Sequence, residues 1–163
     1  MRTAKKEWIG IVREQEELLR FDRFTREDAL RLGLKIAELA KNKYRRGVAS
    51  WVFAQGATLF SHMMDGASLE NELWMRRKVN TFGMTGVSTL RTCLEEHYEG
   101  LSCEPWFDNE GNYVLCGGCF PIFDKQGGTF GYAVVSGLEH HEDHQLIADA
   151  MAELLGVKIP SVV

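Results

Sequence analysis

The chain has 163 residues, is 45% hydrophobic and 26% charged, and carries a formal charge of −4 with only three prolines. That length can bury a core without disulfide or metal staples and fits one domain over residues 1–163. The acidic balance gives no electrostatic reason to expect nucleic acid or an anionic membrane as a partner, and no run approaches the ~18 apolar residues of a membrane span.

Residues 1–20 interleave charges with apolar positions and show no signal-peptide core, so the expected location is the cytoplasm. Residues 4–20 read as an N-terminal helical extension with Trp8, Ile9, Ile11, Val12, Leu18 and Leu19 on a broad apolar side. After a break at residues 21–24, Thr25 looks like an N-cap with Asp28 as the acidic partner of a capping box. Ala29, Leu30, Leu32, Leu34, Ile36, Ala37 and Leu39 then keep helical spacing to about Tyr44. Val48 to Ala54 is rich in strand formers, and Gln55-Gly56 offers a tight turn into Ala57 to Met63, which predicts a hairpin.

Asp65-Gly66 stops the second strand. Ser68 to Phe82 predicts a helix with Leu69, Leu73, Trp74 and Val79 on its buried side, and Ser88 to Tyr98 another that ends at Gly100. Asp108-Asn109-Glu110-Gly111 signals a loop. Tyr113 to Cys116, Phe120 to Phe123 and Thr129 to Ser136 then read as strands, the last two joined through Gly127-Gly128. Glu142 to Leu155 closes as an amphipathic helix with Gly156 as its C′ residue. The order is α-α-β-β-α-α-β-β-β-α. Strands in meanders without βαβ alternation predict an α+β fold around a mainly antiparallel five-stranded sheet.

Four cysteines in a chain of this size read as reduced thiols. Cys116-Gly-Gly-Cys119 has the spacing of a redox pair or half a zinc site, but no second ligand pair accompanies it, so no metal centre is expected. An apolar strand follows it where a thioredoxin-like helix would start, and a buried structural pair is the simplest reading. Gly117-Gly118 suits a bulge or corner, or a place where backbone N–H groups hold an anionic ligand group.

Glu139 to His144 is the densest titratable cluster. Asp143 suits the positive end of a helix dipole. The histidines read as solvated side chains or, from His140, His141 or His144, as a metal or haem ligand. His62 and His97 are isolated and read as surface or core-edge residues. In Arg76-Arg77-Lys78-x-Asn80-Thr81, consecutive cations point apart. A solvated face is the simple reading, and Arg77 or Lys78 facing a carboxylate or propionate is the functional one.

Asn71-x-x-Trp74-x-x-Arg77-Lys78-x-Asn80-Thr81, Gly117-Gly118-x-x-Pro121-Ile122, Val135-Ser136-Gly137-Leu138 and Glu142-Asp143-His144 together resemble the GlcG/HbpS-like "heme-degrading domain" proteins. They are most like that family's stand-alone branch, over about residues 21–156. The C-terminal part of PduO cobalamin adenosyltransferases is of the same type. The resemblance implies a profilin-like three-layer α/β/α sandwich, homo-oligomers in rings or stacks, and binding of haem or corrinoid in some members.

The leading expectation is a homo-oligomeric binder of a small anionic ligand, with haem or another tetrapyrrole first among the choices. The expected contacts are Arg77, Lys78, Asn80, Gly117, Gly118 and His144. Two alternatives stand beside it. One is an enzyme acting on a small carbonyl or carboxylate through His144 and Asp143 as an acid–base pair. The other is an assembly module without catalysis.

Overall fold

The computed structural model describes residues 3–108 and 110–163; Met1 and Arg2 of the expected extension and Asn109 of the expected turn lie outside them. The helices are α1 (Trp8–Leu18), α2 (Arg26–Leu39), α3 (Leu69–Thr85), α4 (Thr89–Glu99) and α5 (His140–Leu155), with one π-turn (Ala40–Tyr44) continuing α2. The strands are β1 (Arg20–Phe21), β2 (Ala49–Ala54), β3 (Ala57–Met63), β4 (Cys119–Asp124) and β5 (Thr129–Ser136), in the sheet order β1-β4-β5-β2-β3. Only β1–β4 is parallel; β4–β5, β5–β2 and β2–β3 are antiparallel. The mainly antiparallel five-stranded α+β architecture is therefore as expected.

Strand alternation divides the core into two faces. Val48, Val52, Ala54, Phe120, Ile122, Ala133 and Val135 meet Leu32 and Ile36 of α2 and Ile147 and Met151 of α5. Ala49, Cys119 and Val134 point the other way, onto Met75 of α3. Helix α1 packs outside α4, where Trp8, Ile9 and Val12 meet Leu90 and Leu94, and the buried Val162 of the C-terminal tail closes that cluster. No helix among the described residues is long and apolar enough to cross a membrane.

Thr25 and Asp28 form both halves of a capping box that opens α2. The β2–β3 turn holds Gln55 and Gly56 at φ 54° and 78°, the left-handed pair a tight hairpin demands. Four features differ from the sequence reading. First, α1 ends at Leu18, because Arg20 and Phe21 leave it to pair with Phe123 and Asp124. That pairing buries Leu19 and Phe21.

Second, Tyr113 to Cys116 is not a strand. The Thr81 hydroxyl donates to the Val114 carbonyl at 2.8 Å and accepts the Val114 N–H at 3.1 Å, so one side chain takes both groups a ladder would use. Third, α5 starts at His140, two residues early, because Glu139 and Glu142 make a carboxylate capping box. Fourth, α3 turns inward through Met75, Lys78 and Thr81, leaving Leu69 and Leu73 75% and 53% exposed.

Candidate functional site

Helix α3 meets the end of β5 and the start of α5 at a buried ion pair. Lys78 is one turn from Met75 and Thr81 on the inward stripe of α3. Its ammonium donates to the Asp143 carboxylate and to the Val135 carbonyl, each at 2.8 Å, and both charged side chains are 3% exposed. Asp143 also accepts the N–H of Leu138 at 3.0 Å and that of Gly137. Burial pushes its carboxyl up to about 6, against the pull of Lys78 and these backbone donors.

The glycine pair fits around this ion pair. Gly118 has φ +122°, and a Cβ there would collide with Lys78 Nζ and stand 2.7 Å from the Val135 carbonyl oxygen. Gly118→Ala is expected to cost about 2–3 kcal/mol, from backbone strain and overpacking together. Thermal melts against wild type measure it, and an unchanged melting temperature would show that Lys78 can move aside freely. Gly117 lies against the His140 carbonyl and donates its N–H to His140 Nδ1 at 3.1 Å, so that donor is already in use. With Nδ1 accepting, the proton sits on His140 Nε2, which donates to the Thr3 carbonyl at 2.5 Å.

The other expected contact residues are dispersed. Arg77 lies over Trp74, 5.2 Å from the ring centroid. Asn80 donates to the Asn112 carbonyl at 2.8 Å and pins the preceding loop. His144 faces the other layer. It is fully buried 5.1 Å from Phe120, with Nε2 2.7 Å from Gln15 Oε1. Burial, then the neighbouring His140, push its imidazole down to about 3, so it is neutral and not solvated. The expected Asp143–His144 partnership is thus replaced by Asp143–Lys78 and His144–Gln15.

All four cysteines are thiols. Cys119 is enclosed on the α3 face, where burial pushes its thiol up.

Two concavities flank these groups. One, of about 320 Å³, opens over the ion pair and is lined by Asn71, Trp74, Lys78, Cys116, Ser136 and Arg46 among others. The second, of about 770 Å³, shares Arg46 with the first and adds Lys41, Asn42, Arg45, Gly47, His62, Met63, Met64 and Asp65. The π-turn after α2 and the left-handed Arg45 (φ 56°) put Lys41, Arg45 and Arg46 on its rim. Among the described residues these three cations have no anionic partner, and the His62 ring, set edge-on to Phe60, makes no hydrogen bond. Sequence reasoning missed Arg46 and the groove. The available signal was the density of cations in Lys41-Asn42-Lys43-Tyr44-Arg45-Arg46.

Residues 24–152 match the family described as haem degrading protein HbpS-like. A UPF0303 protein of Brucella melitensis is 37% identical over 152 residues, covering 93% of this chain and 89% of the relative. One of Brucella canis is 36% identical with the same coverage. Among solved structures, the Ybr137w protein aligns with a TM-score of 0.79 at 23% identity, over 96% of this chain and 98% of its own. HbpS aligns at 0.64 and 22%, over 84% and 93%. A PduOC:heme complex aligns at 0.61 and 20%, over 83% and 95%. At these identities the solved structures carry the fold alone.

Proposed function

The chain belongs to the HbpS-like family, and from that membership we propose that it is a homo-oligomeric haem-binding protein of the cytoplasm whose haem site is the basic groove of about 770 Å³. The observation that carries this reading is the coincidence of three unpartnered cations, an imidazole and two thioethers in one groove. Haem iron takes axial nitrogen or thioether ligands, and its carboxylate arms suit Lys41, Arg45 and Arg46. The smaller cavity fits the group poorly, since the ring nitrogens of its imidazole, His140, are engaged by Gly117 and Thr3.

Within this reading the exposed His62 would hold the iron, and the arginines would orient the macrocycle by its carboxylates. Bound haem would supply redox and ligand-binding chemistry. Within this reading Arg77, Asn80, Gly117, Gly118 and His144, none of which lines the groove, would serve the fold and not the ligand.

Self-association is favoured by the sheet edge. Strand β3 borders the sheet and contains no Pro, Lys, Arg, Asp or Glu, the usual guards of an exposed edge. Leu69 and Leu73 add exposed apolar surface. The cysteine thiols suit a reducing compartment.

Haemin titration should produce a Soret shift that saturates near one haem per chain. Native mass spectrometry of the same sample should report an oligomer that retains the group. His62→Ala should alter the Soret band, and Arg45→Ala with Arg46→Ala should weaken binding at least about tenfold, 1.4 kcal/mol. An unchanged spectrum at micromolar wild-type protein would overturn haem binding. A normal spectrum and affinity in His62→Ala would overturn the groove as its place.

A further inference from the structure

The cavity over the Lys78–Asp143 pair is separate in chemistry from the basic groove. It is lined by a nearly buried ammonium, a hydroxyl and an indole, with one arginine at its border. Lys78 is 2% exposed and has three N–H donors, of which Asp143 and Val135 take two. The third has no acceptor among the described residues. Ser136 is 4% exposed, and its oxygen accepts from Asn71 Nδ2 at 3.2 Å, so its own O–H remains available to donate. Arg46 has no anionic partner among the described residues.

Three carboxylates also line this cavity. Asp143 is balanced by Lys78 and two backbone N–H groups. The Glu139 side chain accepts backbone N–H at the start of α5, and Glu70 stands exposed. What the protein leaves unsatisfied here is therefore a set of donors: the third Lys78 N–H, the Ser136 O–H and the Arg46 guanidinium. Buried donors without acceptors are costly, and a ligand oxygen would satisfy them. The volume corresponds to about ten water-sized groups at ~30 Å³ each. Trp74 gives the same space an aromatic wall.

We propose that this cavity is a binding site for a small planar monocarboxylate, its carboxylate held by Lys78, Ser136 and Arg46 and its flat body placed against Trp74. A dianion such as phosphate is disfavoured because Asp143, Glu139 and Glu70 share the lining with only two cations. An uncharged isostere loses the charge-assisted bonds.

Sodium benzoate is a suitable probe, with benzamide as its neutral counterpart, by isothermal titration calorimetry. Benzoate should bind one per chain with a Kd on the order of 1 mM or tighter. Benzamide should bind at least tenfold more weakly. Ser136→Ala should weaken benzoate at least fivefold while leaving haemin titration unchanged, so loss of this site and loss of the haem site can be told apart. Arg46→Gln alters only an exposed side chain, so folding is not at issue, and it should weaken benzoate at least fivefold as well. No saturable benzoate binding, equal affinity for benzamide, or wild-type affinity in both variants would each overturn the proposal.

Discussion

Lys78→Met is expected to destabilise the protein by about 3–5 kcal/mol, the usual cost of leaving one half of a buried ion pair alone. The Asp143 carboxylate would keep the N–H groups of Leu138 and Gly137 but lose the ammonium 2.8 Å away. The Val135 carbonyl would lose its side-chain donor too. The double variant Lys78→Met/Asp143→Leu removes both charges and is expected to recover most of the loss, since apolar replacements of buried pairs are often neutral.

The pair also has a pH signature. Without Lys78, the attraction that opposes the upward push of burial on Asp143 disappears, so its folded-state affinity for a proton rises further. A folded carboxyl with a raised pKa makes the fold more stable as pH falls. The deficit of Lys78→Met should therefore shrink between pH 7 and pH 5. Urea denaturation of the three proteins at both pH values measures this. Equal instability of the single and double variants would show that Lys78 contributes through shape alone.

Much of the frame was legible locally. The Thr25–Asp28 box and the Gln55-Gly56 turn act over four residues or fewer, and both sit where the sequence puts them. What escaped depends on contacts made across the chain. A two-residue strand such as β1 has no periodicity to detect. Tyr113 to Cys116 has strand-forming residues, but Thr81, more than thirty positions away, takes the backbone groups of Val114.

Register could have identified the buried polar residues. Lys78 continues the inward stripe of Met75 and Thr81, while Arg77 points elsewhere. His144 continues the stripe of Ile147 and Met151, so its burial follows from the same 3.6-residue spacing that predicts α5. The basic groove had a compositional trace only on its α2 side. His62 reaches it because β3 folds back along β2, and an isolated histidine on an edge strand carries no sign of that.

His144→Leu is expected to be less stable than wild type at pH 7.5 and more stable at pH 4.5. At neutral pH the variant loses the bond from His144 Nε2 to Gln15 Oε1 and strands that buried oxygen, at a cost of about 1–3 kcal/mol. Gln15 cannot compensate by turning its amide, because its Nε2 already serves Gln145 and the Pro160 carbonyl at 3.0 and 2.8 Å. In acid the balance reverses. Burial holds the wild-type imidazole down at about 3 against 6.5 when exposed, so the unfolded chain takes the proton first. The stability contributed by neutral His144 is complete above pH 6.5 and declines as pH falls toward 3, by about 1.4 kcal/mol per unit. From 6.5 to 4.5 that amounts to about 3 kcal/mol, enough to overtake the lost hydrogen bond. Asp143 works in the opposite sense between 3.8 and about 6 and masks the trend in wild type alone. It is common to both proteins, so the difference between their stability curves isolates His144. Parallel curves from pH 7.5 to 4.5 would show that the imidazole can be protonated within the fold, with Nδ1, which has no partner among the described residues, receiving the proton.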